Sequence, residues 1–153
     1  MKAGEMLPEF TLLDQDGKPF NSHELIGKKN IVLFFYPLNG TPICTLEACS
    51  FKNSFPVFKH NDIEVLGISS DSQKSHRIFK KMYHLPFRLL SDEDGKVRRL
   101  LKVPRTFLGL LPGRVTYIIS KQGRIVKTYN SFFGSSSHVK HAIAAIKEAS
   151  GKQ

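Results

Sequence analysis

The sequence predicts an α/β fold in which helices flank a central mixed sheet. Two continuous apolar runs, residues 31–36 and 63–69, have the length and the β-branched and aromatic content of strands buried on both faces. Each run precedes a segment of helical periodicity, and this alternation is typical of parallel β-α-β units. Residues 115–120 and 124–129 predict two further strands, which the turn at 121–123 joins as an antiparallel hairpin.

A short β-hairpin is predicted before this sheet, from residues 10–13 and 18–21 with an Asp-Gly turn between them. Apolar spacing predicts helices at residues 42–59, 72–83, 92–101 and 139–149. We expect Pro56 to kink or break the first helix, and Ser70 or Asp71 to cap the second. The order βαβα, then a β-hairpin, then a helix is that of the thioredoxin fold, here with the added N-terminal hairpin.

The composition is that of one globular domain spanning residues 1–153. With 41% hydrophobic residues, the chain has enough apolar material for a core. No signal-like apolar segment opens the sequence, and no run approaches the roughly 18 to 20 apolar residues that a membrane span needs. We therefore expect a soluble, cytoplasmic protein, or an organellar one if a transit peptide has been removed.

The formal net charge is +10. Basic pairs are scattered along the chain and interleave with Asp and Glu, a pattern typical of a solvated surface rather than of a nucleic-acid site. Such a charge also suits electrostatic attraction to an acidic protein partner.

The two cysteines, Cys44 and Cys49, are expected to be catalytic rather than structural, because a disulfide closing so short a loop stabilises little. Thr41 is a good N-cap and Pro42 suits the first helical position, which places Cys44 in the first turn of a helix. Backbone N–H groups and the helix dipole favour the thiolate there, the nucleophilic form of sulfur.

The spacing of the cysteines adds a mechanical expectation. Residues five apart on a regular helix have Cα atoms about 8 to 9 Å apart, whereas a disulfide needs less than about 7 Å. Cys44 is thus expected to react on a folded helix, and Cys49 to reach it only after local unwinding. A metal site is not expected, since two cysteines at this spacing lack the further Cys or His ligands that a metal needs nearby. Four histidines do not fall in a ligand pattern and are interpreted as surface or hydrogen-bonded residues, namely His60, His76, His84 and His138.

The segment from Pro37 to Cys44 resembles the peroxiredoxin pattern Pro-x-x-x-Thr-x-x-Cys. The continuation Thr45-Leu46-Glu47-Ala48-Cys49 is similar to the bacterioferritin comigratory protein, or Q-type, branch, where a resolving cysteine follows five residues later. Residues 85–92 and 112–117 also look like this branch, so the resemblance covers nearly the whole chain.

The resemblance implies a thiol peroxidase that reduces hydrogen peroxide and organic hydroperoxides without a metal or flavin cofactor. It implies that Cys44 attacks the peroxide and that Cys49 resolves the sulfenic acid. The other site residues it implies are Thr41 and Arg114, which hold the peroxide oxygens, Pro37, which shields the sulfur, and Glu47, which orients the Arg. The alternative for Glu47 is an acid in the first turn of the helix that the helix dipole favours. Thioredoxin or glutaredoxin is the implied reductant, and a monomer the implied state.

Two departures from the branch stand beside the sulfur. Ile43 occupies a position that is often Gly, and Leu38-Asn39-Gly40 replaces a more charged stretch. Two other functions remain open at this stage. A general thiol-disulfide oxidoreductase fits the fold order but usually has a Cys-x-x-Cys motif, and a basic binding or chaperone-like module fits the charge but gives no reason for the Thr41, Cys44 and Arg114 pattern.

Overall fold

The computed structural model describes residues 2–37, 39–103, 105–106, 111–112, 115–130 and 144. Within these residues, seven strands form one sheet: Thr11–Leu13 (β1), Pro19–Asn21 (β2), Asn30–Phe35 (β3), Ile63–Ser69 (β4), Arg88–Ser91 (β5), Val115–Ile119 (β8) and Ile125–Asn130 (β9). Arg105–Thr106 (β6) and Leu111–Pro112 (β7) pair separately. The strand order across the sheet is β2-β1-β5-β4-β3-β8-β9.

The sheet is mixed, as predicted. Strand β3 pairs in parallel with β4, and β4 with β5, whereas β3 and β8, β8 and β9, and β1 and β2 are antiparallel. In the N-terminal hairpin, the Asp14 carboxylate accepts hydrogen bonds from the backbone N–H groups of Asp16 and Lys18 at 2.9 and 3.0 Å. Gly17 completes this turn at a φ of +78°, a conformation that favours glycine.

Strand β3 separates two apolar clusters, one on each face of the sheet. Its alternate residues Val32 and Phe34 pack into the first cluster, and Ile31, Leu33 and Phe35 into the second. This is why the run is apolar throughout rather than alternating. The first cluster lies beneath the helices that carry the candidate site.

The helices described are Pro42–Asn53 (α1), Phe55–His60 (α2), Gln73–Met82 (α3) and Lys96–Leu100 (α4). The predicted break at Pro56 is confirmed, since α1 ends at Asn53 and Pro56 lies in the first turn of the next helix, α2. The cap predicted for α3 was wrong. Ser72, not Ser70 or Asp71, accepts the backbone N–H of Ser75 at 3.1 Å.

Two predictions near β5 differ from the structure. β5 itself was not predicted as a strand; its four residues are too few to show a period. The helix predicted at residues 92–101 is confined to α4, because the Asp92 carboxylate accepts the N–H groups of Val97 and Arg98 at 3.0 and 2.9 Å and Gly95 has a φ of +71°. The preceding residues are therefore a turn.

The helix predicted at residues 139–149 lies outside the described residues except for Ala144, which is helical and exposed. Among the described helices, none has the length and apolar character needed to cross a membrane.

Candidate active site

The segment between β3 and α1 brings the chain from the centre of the sheet to the first cysteine. Gly40 has a φ of +81°, and Thr41 has the extended conformation of an N-cap residue, with φ −72° and ψ 148°. Pro42 is the first residue of α1, as predicted, and the Thr41 carbonyl accepts the N–H of Thr45 at 2.9 Å. Cys44 is consequently the third residue of the helix, where backbone N–H groups lack helical carbonyl partners.

Thr41 occupies the predicted cap position, but its hydroxyl does not act as the cap. Within the described residues, the side chain makes no capping hydrogen bond to the backbone of α1. The helix start is defined instead by the backbone conformation and by Pro42.

Cys44 is buried, with 2% of its surface exposed, and belongs to the apolar cluster on the α1 face of the sheet. Cys49 is partly exposed on the same helix. No disulfide joins these two residues. Because α1 is continuous from residue 42 to residue 53, helix geometry keeps their Cα atoms about 8 to 9 Å apart, beyond the reach of a disulfide.

Glu47 and Pro37 lie on either side of this turn in the sequence. Glu47 is fully buried and lies in the second turn of α1, so its alternative interpretation as a first-turn acid beside the dipole was wrong. Pro37 is partly buried in the bend after β3. Arg114 and the side chain of Ile43 lie outside the described residues; Val115, which follows Arg114 in the sequence, pairs with Phe35 at the end of β3.

A polar cluster next to this turn was not predicted. His76, on α3, is completely buried and hydrogen-bonded to Leu90 and Asn39, which agrees with its interpretation as a hydrogen-bonded histidine. Its partners Asn39 and Tyr36 come from the segment before Cys44. Their separation in the sequence, 37 and 40 residues from His76, leaves no local signal by which sequence reasoning finds them.

In the part of the chain that is described, no three His, Cys, Asp or Glu side chains come together in a group able to hold a metal ion. The chemistry available at the start of α1 is that of a buried thiol in the first helical turn, with Thr41 at the cap position and the buried carboxylate of Glu47 in the second turn.

The chain matches the AhpC/TSA family over residues 3–128. Chloroplastic peroxiredoxin Q of Gentiana triflora is 44% identical over 149 residues, which cover 97% of this chain and 68% of the relative. Chloroplastic peroxiredoxin Q of Sedum lineare is 44% identical over 144 residues, covering 94% and 77%. This chain belongs to the AhpC/TSA family of peroxiredoxins. These relatives place it in the Q branch, as its sequence motifs predicted.

Solved peroxiredoxin structures share the fold. Peroxidoxin BcpB from Mycobacterium tuberculosis has a TM-score of 0.89 and 33% identity, and the match covers 97% of both chains. A cysteine-to-serine mutant of Xylella fastidiosa PrxQ has a TM-score of 0.88 and 26% identity over 98% of both chains. The bacterioferritin comigratory protein of Xanthomonas campestris has a TM-score of 0.80 and 28% identity, covering 92% and 91%. The thioredoxin-fold prediction is thereby confirmed.

As a peroxiredoxin, the protein is a thiol-dependent peroxidase and hence an oxidoreductase, with a peroxide as substrate and a thioredoxin-type reductant. The comparisons favour neither the general thiol-disulfide oxidoreductase nor the basic binding module.

Proposed function

We propose that Cys44 is the peroxidatic cysteine and Cys49 the resolving cysteine of this peroxidase. The observation that carries the assignment is the position of Cys44, a buried thiol in the first turn of a helix that follows a central strand. The backbone N–H groups in the first turn of a helix and the positive end of its dipole favour a thiolate and stabilise negative charge developing on a bound peroxide oxygen.

The reaction has three balanced steps. The Cys44 thiolate attacks one oxygen of ROOH, the O–O bond breaks, and the leaving RO⁻ takes up a proton, so that Cys44 becomes a sulfenic acid. The sulfur of Cys49 then displaces the sulfenic hydroxyl, which leaves as water, and an intramolecular disulfide forms. An external dithiol finally reduces this disulfide and is itself oxidised to a disulfide.

The remaining site residues act on the oxygens and on the sulfur. Thr41 and Arg114 hold the two peroxide oxygens, Pro37 limits water access, and Glu47 orients Arg114. The pairing of Val115 with Phe35 supports the role of Arg114, because it brings the start of β8 beside the end of β3 from which the Pro37 bend departs. The burial of Glu47 supports its role, since a buried carboxylate needs a cationic or hydrogen-bonding partner.

The substrates we propose are hydrogen peroxide and organic hydroperoxides; the Xanthomonas campestris homologue is described through its alkyl peroxide reduction activity. Thioredoxin or glutaredoxin supplies the electrons, and the protein acts as a monomer without a nucleic-acid or membrane partner. The plant relatives are named as chloroplastic, so we expect either an organelle or the cytoplasm as the location.

Stopped-flow measurement of hydrogen peroxide consumption by the reduced protein tests the two cysteine roles. Cys44→Ser should abolish consumption. Cys49→Ser should retain the first oxidation but stop after a single turnover, even with excess thioredoxin, because no disulfide forms. Mass spectrometry after one equivalent of peroxide should detect a bond between Cys44 and Cys49 in the wild type alone. Rapid peroxide consumption by Cys44→Ser would show that the assignment is wrong.

A further inference from the structure

Asn39 lies at the centre of a polar network between the segment that precedes Cys44 and helix α3. Its Oδ1 accepts a hydrogen bond from the Tyr36 hydroxyl at 2.6 Å. Its Nδ2 lies 3.1 Å from the Ser75 Oγ and 3.0 Å from the His76 Nδ1. Its backbone N–H donates to the Asp71 carboxylate at 2.8 Å. One residue is therefore held by its main chain and by both ends of its side chain.

The hydrogen positions in this network follow from its acceptors. The His76 Nε2 lies 3.0 Å from the Leu90 carbonyl oxygen, which only accepts, so Nε2 carries a proton. In a neutral imidazole the Nδ1 is then an acceptor, and the Asn39 amide must present its NH₂ group to it. The Asn39 Oδ1 consequently faces Tyr36, whose hydroxyl donates a hydrogen bond to it. With the Asn39 amide in this orientation, the arrangement requires a neutral His76.

Asp71, which accepts the hydrogen bond from the Asn39 backbone, is itself held by further hydrogen bonds. Its Oδ2 accepts from the Ser69 Oγ at 2.6 Å as well as from the Asn39 N–H, and its Oδ1 accepts from the Ser75 Oγ at 3.3 Å. Asp71 follows the carboxyl end of β4, and Ser75 lies in the first turn of α3. The segment before Cys44 is thus fastened to two rigid elements outside α1.

Tyr36 connects the network to the candidate catalytic thiol. It is buried in the same apolar cluster as Cys44. Burial raises the pKa of Tyr36 well above its ordinary value; a hydrogen bond with Ser69 opposes this, and negative charge on Asp71, Cys44 and Glu47 raises the pKa further. The sulfur and the Glu47 carboxylate are therefore within electrostatic range of the hydroxyl that holds Asn39.

We infer that Asn39 is a positioning residue, which holds the Gly40-Thr41 backbone in the geometry that Cys44 needs to reduce peroxide, and that it does so only while His76 is neutral. The inference rests on the proposed role of Cys44. Asn39 acts through Gly40 and Thr41, the two residues that lead into α1, and not on the peroxide itself. Small displacements of such groups cost rate steeply, about a hundredfold for 1 Å.

The neutral state of His76 is maintained by its surroundings. Tyr36 faces it from the end of β3, Asp71 from the turn after β4, and the Leu90 carbonyl from β5. Burial lowers the pKa of His76, and the Asp71 charge and the Leu90 carbonyl partly oppose this. Acidification puts a proton on Nδ1, opposite the Asn39 NH₂ group, and two donors then face each other unless the amide turns over, which removes its Oδ1 from the Tyr36 hydroxyl. The hold on the segment should be lost at that point.

The test compares two reactions of Cys44 in a Cys49→Ser background: oxidation by hydrogen peroxide, which needs the oriented turn, and alkylation by iodoacetamide, which reports only the accessible thiolate. Asn39→Ala should slow oxidation at least about tenfold while changing alkylation less than about twofold. The matched control is Asn30→Ala, at the opposite end of β3, where the Asn30 Oδ1 accepts the Lys121 N–H at 3.0 Å. It should leave both rates unchanged.

The pH dependence supplies a second readout that does not need a stable variant. In the wild type, the ratio of the oxidation rate to the alkylation rate should fall on acidification, with the midpoint of the His76 titration measured by NMR. Asn39→Asp should raise the His76 pKa, because a carboxylate accepts the Nδ1 proton, and should invert the dependence, so that the ratio rises as His76 becomes charged.

The outcomes separate this inference from the proposed function. Persistent peroxide consumption by Cys44→Ser overturns both. A Cys44-dependent peroxidase in which folded Asn39→Ala oxidises at the wild-type rate, or a ratio that does not follow the His76 titration, overturns the positioning role alone. If Asn39→Ala does not fold, the wild-type ratio and the Asn39→Asp titration decide the question.

Discussion

Glu47 is a carboxylate without exposed surface, in the helix that carries both cysteines. Burial of a charged carboxylate costs several kcal/mol unless a cation or several donors face it. A position in the second turn of α1 lies outside the range in which the helix dipole would be that partner. We therefore ascribe its presence to the site, where we propose that it orients Arg114.

Glu47→Gln tests this role because it keeps the shape of the side chain and removes the charge. We expect Cys44 oxidation to slow about tenfold, since Arg114 loses the group that orients it. In an Arg114→Met background the same change should have little further effect, which a double-mutant cycle measures. Glu64→Gln is the control, because Glu64 is a partly exposed carboxylate on β4 that pairs with Lys29 at 3.7 Å. Additive losses from Glu47 and Arg114 would contradict the proposed orientation.

At the residue level, the sequence predicts what is coded locally. The Thr-Pro start of α1 and the place of Cys44 in its first turn follow from neighbouring residues, and both are confirmed. The cap of α3 was misassigned because Ser70, Asp71 and Ser72 are all suitable capping residues, and only the tertiary contact of Asp71 with Asn39 leaves Ser72 for the helix. The Asn39 network was missed for the same reason: its members meet only in the folded chain.

Helix α1 is the element that must open if the two cysteines are to bond. Beside Cys49, the helix is held to the sheet by Ala48 and Phe51, both buried. The Phe51 ring stacks on Phe34 with a centroid distance of 4.5 Å and an interplanar angle of 15°. In the next turn, Lys52 Nζ donates to the Tyr83 carbonyl at 2.9 Å. These contacts set the free energy of local opening and hence the rate of the disulfide formation that we propose.

Phe51→Leu should therefore accelerate the second step. We expect a cost of about 1 kcal/mol in α1 packing, which makes the opened state about fivefold more populated. The disulfide step should become faster by about that factor, while the first oxidation of Cys44 stays unchanged. Rapid-quench mass spectrometry of the sulfenic acid and the disulfide measures the two steps.

Phe58→Leu is the matched control for Phe51→Leu. Phe58 is also completely buried and lies 6.0 Å from Phe51 between ring centroids, but it belongs to α2, beyond the break at Ser54. It should lower global stability by a similar amount and leave the disulfide step unaltered. Equal acceleration by both variants would mean that global loosening, not the opening of α1, limits the step.

The elements predicted from the sequence are those marked by a long apolar run, a helical period or a recognisable turn. Strands β3, β4 and β8 and helix α3 agree with their predictions within one or two residues. β5 has four residues, and β6 and β7 have two each, so no period distinguishes them from loop. The early start predicted for α4 failed because the Asp92 carboxylate takes the N–H groups that a longer helix would bond internally.

At the scale of the molecule, the two faces of the sheet have different tasks. The face beneath α1 and α3 contains Cys44 and the Asn39 network, whereas the other face packs α4 against the sheet. Tyr117 on β8 belongs to that second face. Its ring meets Phe35 edge to face at 6.1 Å, and its hydroxyl donates to the Leu101 carbonyl at 3.5 Å. It links the central sheet to the end of α4, on the face of the sheet opposite to Cys44.

This position of Tyr117 predicts a loss of stability at alkaline pH. Burial, and to a lesser extent the charge of Glu5, raises its pKa from 10.0 to about 12. Between these values the unfolded chain releases the proton and the folded chain keeps it, so the free energy of unfolding decreases as pH rises, by about 1 to 2 kcal/mol. Urea unfolding of a Cys44→Ser, Cys49→Ser protein over this range measures the decrease. Tyr117→Phe should remove this contribution and leave that of Tyr36, whose pKa burial also raises, whereas Tyr83→Phe, in the opposite cluster, should not change the decrease; an equal decrease in all three proteins would assign the alkaline transition to other groups.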